Sequence, residues 1–326
     1  MQTIAPTLST LVLGEAAVHG RLAVFPLTGA DAPGPDYLTL DEALAAKTLR
    51  ITEVSAAGSV PELKAVNSGE RPVLLLDGEQ LVGAKQNRIL NLSILVPAHA
   101  EITIPVSCVE AGRWASRSYG FSASRSAAFA RLRAAKAAHV SESLASGAGR
   151  HSHQGEVWDA IAMKMERMNS RSHTSAMDDV FERFDDDVAA FERSIGSVAG
   201  QRGALFGIGG RIAGLDVFDR AATFDRVRDK LVRSYALDAL EPDVGDAVPD
   251  QDGARRFLDA LRIASARRYP AVGMGEDVRL EGLGLCGAAL VADRALVHLC
   301  AFARPAVENG NGPEKTFMAG RRRGMY

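Results

Sequence analysis

The amino-acid sequence predicts an α+β fold, with mostly antiparallel strands in the N- and C-terminal thirds packed with a helical middle segment. Three observations carry this expectation. Short apolar and β-branched runs gather at both ends of the chain, apolar residues at helical spacing fill the middle, and turn residues join neighbouring strand segments. A doubly wound sheet would instead alternate strands and helices throughout.

In the first third, residues 22–27 and 49–54 have β character. Between them, Thr39-Leu40-Asp41-Glu42 has capping-box spacing ahead of a short Ala/Leu helix. Asn67-Ser68-Gly69-Glu70-Arg71 is a turn cluster, and the apolar run at 73–76 is the next strand. Leu90, Leu92, Ile94 and Val96 then alternate with Asn91 and Ser93, and Ile102, Ile104, Val106 and Cys108 alternate with Thr103, Pro105 and Ser107. With Pro97-Ala98-His99-Ala100 as its loop, this pattern predicts a β-hairpin with one core face and one polar face bearing Asn91, Ser93, Thr103 and Ser107. Pro105 lacks an N–H and suits an edge position.

The middle reads as helix at 124–145, which is rich in Ala, Arg and Lys, and again at 157–168 and 177–191, where aromatic and Met residues recur at helical intervals. Those stripes are core packing. In the last third, residues 204–208 and 211–218, joined by Gly209-Gly210, form a second hairpin with a two-residue turn. A helix with Phe224, Val227, Leu231 and Tyr235 on one face follows, then an acidic linker at 241–252, a helix at 254–266, and strands at 283–291 and 295–302. Residues 1–305 are expected to form one α+β domain, and 306–326, ending in Arg321-Arg322-Arg323, a disordered basic tail.

The 326-residue chain has a net charge of -2, which offers no bulk attraction to nucleic acid or to an anionic membrane. It has no run of about 18 apolar residues and no basic, apolar leader pattern at its start, so a cytoplasmic location is expected. The three cysteines, Cys108, Cys286 and Cys300, lie in apolar runs without paired spacing and read as reduced core thiols.

The densest polar cluster, between Asp77 and Asn91, is bracketed by apolar strands. Asp77 and Glu79 can serve as general base or cation ligands, and Lys85 can join them as a catalytic group or, with Arg88, clamp a phosphate. Gln80, Gln86, Asn87 and Asn91 can read ribose or amide groups. The same residues also suit an exposed turn or an internal salt-bridge network. Asp216, within the apolar stretch 215–218, is a candidate inward carboxylate with a raised pKa, though alternation equally allows it to face outward. His298 reads as a half-buried, hydrogen-bonded residue, and His151-Ser152-His153 offers too few ligands to define a metal site. No metal ligands are therefore assigned, and the residues identify no cofactor and no oligomeric state.

Residues 74–91, with Asp77-Gly78-Glu79-Gln80 and Lys85-Gln86-Asn87-Arg88 at their centre, followed by 106–114, 154–158, 209–218 and 233–240, resemble the ADP-ribosylglycohydrolase- and rhodanese-phosphatase-superfamily-associated domain family. The likeness spans nearly the whole chain. It adds Glu110, Arg113 and Tyr235 to the ligand-binding candidates. It implies a domain that acts on or recognises an ADP-ribose or NAD-derived nucleotide, and as an enzyme it would be a hydrolase. The alternative is a non-catalytic binding or regulatory module paired with a separate enzyme. The expected partner is accordingly a small-molecule nucleotide or a modified protein, rather than nucleic acid or membrane.

Overall fold

The computed structural model describes residues 3–55 and 57–304. The fold is α+β, as the sequence predicts, with antiparallel sheets and a helical middle. The expected basic tail at 306–326 lies outside the described residues.

The N- and C-terminal thirds meet in one nine-stranded sheet. Strand Leu22–Thr28 from the beginning of the chain pairs with Gln201–Ile208, which turns back into Arg211–Phe218. Arg211–Phe218 pairs in turn with Ala295–Ala303, and Leu285–Ala292, Glu276–Gly282 and Ser265–Pro270 extend the sheet as a meander. The Gly209-Gly210 turn is as expected: both glycines have positive φ, at 56° and 81°, as a primed hairpin turn requires. Helix Ala221–Ala239 covers one face of this sheet with Phe224, Val227, Leu231 and Tyr235, while the short helix Ile4–Ser9 and helix Gln251–Arg262 cover the other. That last helix stops short of the expected 254–266 span because residues 265–270 are recruited as an edge strand.

The remaining strands form a six-stranded and a three-stranded sheet around a second core, which includes Leu63, Leu75, Leu81, Leu90 and Ile104. Here the expected hairpin over residues 90–109 is only partly formed. Arg88–Leu90 pairs with Val106–Cys108, but Ile94–Val96 leaves to pair with Val73–Leu75 in the smaller sheet. The first half of Ala100–Cys108 pairs instead with Glu62–Asn67. Pro105 is thus in a central strand, not at an edge. It sits at the last position paired with Glu62–Asn67, just before Val106 takes up Leu90 as its partner, so its missing N–H falls at the hand-over.

The middle helices are Ala130–Ala145, Gln154–Arg167, Met177–Arg183 and Asp185–Ser194. The first starts later than expected because Phe121–Ala127 is a strand paired with Glu79–Gly83. Buried residues of the first three join Ile89, Val109 and Leu237 in a further apolar cluster, while Val188 and Phe191 of Asp185–Ser194 pack into the core beneath helix Ala221–Ala239.

Candidate functional site

The polar run from Asp77 to Asn91 begins where strand Val73–Leu75 ends in a tight turn. Gly78 has φ +77°, its N–H donates to the Leu90 carbonyl at 3.0 Å, and its own carbonyl accepts from Ala128 N at 2.8 Å. A Cβ at this position would lie 2.8 Å from Arg133 Cγ, so glycine is required both for conformation and for space. The turn delivers Asp77 and Glu79 in different directions, and the two carboxylates join separate networks.

Asp77 belongs to a closed ring of buried polar groups. Arg133 Nε donates to one Asp77 oxygen at 3.1 Å, Lys136 Nζ contacts the other, and Lys136 also donates to the Asn91 carbonyl at 2.9 Å. Arg133 continues as a fork onto Asp216, at 2.6 and 3.1 Å. Asp216 also receives His298 Nε2 at 3.2 Å and the Tyr235 hydroxyl at 3.4 Å. The ring closes through Ser93, whose Oγ lies 2.7 Å from His298 Nδ1 and accepts the Asp77 N–H at 2.9 Å. Nε2 of His298 faces the Asp216 carboxylate, which can only accept, so Nε2 carries a proton and donates.

Burial resists ionisation of Asp216, yet Arg133 and the His298 hydrogen bond outweigh it and hold the carboxyl below the usual range. The raised pKa expected from burial alone is therefore reversed. His298 is fully buried rather than half-buried. Cys300, beside the ring, has its thiol pushed up strongly by burial and by the Asp77 charge and is an inert core group. The cavity at this ring, between Ser93, Asp277, His298 and Cys300, is about 10 Å³, room for one water at most.

Glu79 is held elsewhere. One oxygen accepts the Leu76 N–H at 2.8 Å, and the other meets Lys230 Nζ at 2.7 Å. Lys230 also pairs with Asp41, and although burial works against its charge, the two carboxylates raise its pKa. Gln80 is buried close by, with neither amide atom in hydrogen-bond geometry.

A third network forms around Glu110. Arg113 Nε and Nη2 grip its carboxylate at 2.8 and 2.6 Å, Asn87 N donates at 3.1 Å and Thr174 Oγ1 at 3.0 Å. Burial opposes the charge, but these donors hold Glu110 below its usual range. Arg113 also donates to the Ala84 carbonyl and to Asn87 Oδ1, and Gln86 Nε2 donates to the Glu110 carbonyl at 3.0 Å.

Lys85 and Arg88 lie at the edge of the Glu110 network, both over the indole of Trp114, with Lys85 Nζ 5.3 Å and the Arg88 guanidinium carbon 5.7 Å from its centroid. Trp114 itself is 49% exposed. Lys85 Nζ donates to the Ala57 carbonyl at 2.7 Å, and its backbone N–H donates to Glu53 at 3.3 Å. Arg88 is fully buried beneath them. Its Nη1 reaches Gln86 Oε1 at 3.0 Å, but Nε and Nη2 have no partner, and burial lowers its pKa.

Asn91 lies on the far side, its amide donating to the Arg150 carbonyl at 3.1 Å and accepting from Ser107 Oγ at 2.6 Å. The polar run therefore does not converge on one cavity. Asp77, Asp216 and Tyr235 meet in one ring, Gln86, Asn87, Glu110 and Arg113 in another with the Lys85/Arg88 pair at its edge, and Glu79 has surroundings of its own. The residues that sequence reasoning missed are the buried cations Arg133, Lys136 and Lys230. A further buried cluster also escaped it, with Lys164 against Asp238 and Glu241. The spacing of Arg133, Lys136 and His139 along one helix face was the available signal.

No curated protein and no solved structure matches the chain. A family model does match, over residues 10–302, and the chain belongs to the family described as the ARG and Rhodanese-Phosphatase-superfamily-associated Protein domain.

Proposed function

We propose that this domain recognises a phosphate-bearing nucleotide of the ADP-ribose or NAD type at Lys85, Arg88 and Trp114, as a binding module that works beside a separate enzyme. The observation that carries the reading is Arg88. Among the described residues, the buried cations Arg113, Arg133, Lys136, Lys164, Lys230, Arg233 and Arg279 each meet a carboxylate within 4.0 Å. Arg202 has no carboxylate that close, but two backbone carbonyls accept from it. Arg88 alone among these keeps two guanidinium nitrogens in a dry site without any acceptor.

A buried unpaired cation costs several kcal/mol, on the order of the penalty for breaking a buried ion pair, and an anionic ligand would remove that cost. The planar fork of Arg88 suits a phosphate oxygen pair, Lys85 adds a second charge, and the half-exposed indole offers a stacking surface for a base. Glu53 stands at the rim with one unpartnered oxygen and opposes an anion. The family description, which associates the domain with other protein superfamilies, supports a role beside an enzyme. Support also comes from Asp77 and Glu79, the candidate catalytic carboxylates, since both already neutralise buried cations.

Titration with ADP-ribose, NAD and inorganic pyrophosphate tests this, read by calorimetry and by Trp114 fluorescence in a Trp158→Phe background. Saturable binding is expected, weakened at least tenfold by Arg88→Met or Trp114→Ala and tightened by Glu53→Gln. The absence of heat and of any thermal shift at millimolar ligand, with and without Mg²⁺, would sink the proposal. Turnover of ADP-ribose that disappears in Glu79→Gln would replace the module with a hydrolase.

A further inference from the structure

The fold brings together three side chains that are not part of this patch and are unused by it. His139 projects from helix Ala130–Ala145, His153 stands at the residue just before helix Gln154–Arg167, and Glu156 stands three residues later in that helix's first turn. We propose that His139, His153 and Glu156 form a binding site for a transition-metal dication of the Zn²⁺ class.

The carboxylate of Glu156 is split between the two imidazoles, with Oε2 3.0 Å from His139 Nε2 and Oε1 3.0 Å from His153 Nδ1. The rings stack with centroids 4.4 Å apart and planes 24° from parallel. One donor atom from each residue can be chosen so that all three lie within 4.8 Å of one another. Around Zn²⁺ at bond lengths of about 2.0–2.2 Å, tetrahedral donors stand roughly 3.4 Å apart. Closing the difference requires a side-chain rotation, and the His153 side chain, 53% exposed, is able to make it.

The backbone carrying these ligands is already fixed. Gln154 clamps Cys108 through both of its amide atoms, accepting from the Cys108 N–H at 2.8 Å and donating to its carbonyl at 2.8 Å. Ser152 bonds Ser107, and the Arg150 carbonyl receives Asn91. The segment between the two helices is thus latched to strand Ala100–Cys108 and to Asn91, so little chain ordering remains for a metal to impose.

The donor chemistry selects the class of ion. Two imidazoles and one carboxylate suit Zn²⁺ and its neighbours in the first transition row, whereas Mg²⁺ and Ca²⁺ prefer all-oxygen shells. Burial outweighs the attraction of the Glu156 carboxylate and, with His153 adding to it, lowers the pKa of His139; the neutral imidazole is the ligating form. On binding, each imidazole would give the metal the nitrogen that now faces Glu156 and carry its single N–H proton on the other ring nitrogen, and three protein ligands leave one coordination position for water.

The experiment uses the full chain, freed of any affinity tag and of bound metal by chelation and dialysis. Calorimetric titration with ZnCl₂ is expected to show one equivalent bound per chain, with a rise in Tm, and Co²⁺ is expected to give the visible absorption of a four-coordinate site. His153→Ala and Glu156→Gln should each weaken binding at least 100-fold without changing the far-ultraviolet circular dichroism. His151→Ala, on the same segment but outside the cluster, should bind as the parent does, and MgCl₂ should produce no heat. Failure to take up Zn²⁺, or uptake that is unchanged in His153→Ala and Glu156→Gln, would overturn the proposal.

Discussion

Arg88 and Arg133 are both guanidiniums with no exposed surface, yet removing them should have opposite consequences. Arg133→Met leaves Asp77 with Lys136 as its one cation and takes the guanidinium fork from Asp216 in a dry interior, and loss of one partner from a buried ionic network costs about 3–5 kcal/mol. Arg88→Met strands only the neutral oxygens of Gln86 and Asn87 and removes a charge that, among the described residues, meets no carboxylate within 4.0 Å. Urea denaturation should therefore show a sharply lower midpoint for Arg133→Met and an unchanged or higher one for Arg88→Met. A large destabilisation of Arg88→Met would mean that its packing outweighs its charge. The sequence pointed to the acids Asp77, Glu79 and Asp216, but not to the cations that hold them. Arg133 is separated from Asp77 by 56 positions and from Asp216 by 83, and no local spacing records such a pairing.

Among the elements, what was legible is what depends on near neighbours. The Thr39 capping box is formed, with Glu42 N–H directed to the Thr39 side chain and Glu42 reaching back to the Thr39 N–H. Thr39→Ala should cost about 1 kcal/mol, measurable as a shift in urea midpoint. At the Asp77-Gly78 turn, Gly78→Ala should cost at least about 1–2 kcal/mol for the left-handed conformation, with more added as Arg133 is displaced. A Tm equal to the parent's would show that the turn can relax. The hairpin expected over residues 90–109 was misread because alternation gives a strand's faces, not its partner. Asn91, Leu92 and Ser93 carry the chain from one sheet to another, and Ser93 at that crossing becomes a ring member. Helix Ala130–Ala145 was read as helix but not as part of a site, since the Arg133 and Lys136 that it buries look in sequence like solvated charge.

At the scale of the whole molecule, the carboxylates held by cations make stability fall in acid, while Asp219 and Asp178, whose pKa burial raises, work in the opposite sense. For Asp216, Glu110 and Glu241 burial alone would raise the pKa, but their cationic partners win and lower it. An acid whose folded pKa is depressed contributes stability above its unfolded value, about 4. That contribution is lost as the pH falls through the folded value. His139, whose pKa is lowered mainly by burial, acts in the same direction from a higher starting point, because the unfolded chain takes up its proton first, near about pH 6.5. Stability should thus be flat above about pH 7, decline gently below it, and fall steeply below about pH 4. Circular dichroism across an acid titration checks this, and a protein most stable at pH 4 would contradict it.

The polar ring has a consequence for how the chain reaches this state. Its members come from the nine-stranded sheet, through Asp216 and His298, from the turns of the smaller sheets, through Asp77 and Ser93, and from the helix between them, through Arg133 and Lys136. An intermediate in which one sheet has formed without the other would hold part of this set uncompensated, so its ions must stay wet until the last piece docks. Water should leave that region in a single late event, after the main folding barrier. Asp216→Asn should then accelerate unfolding in stopped-flow experiments far more than it slows refolding. The ring would act as a clasp, setting how long the assembled molecule lasts more than how quickly it forms.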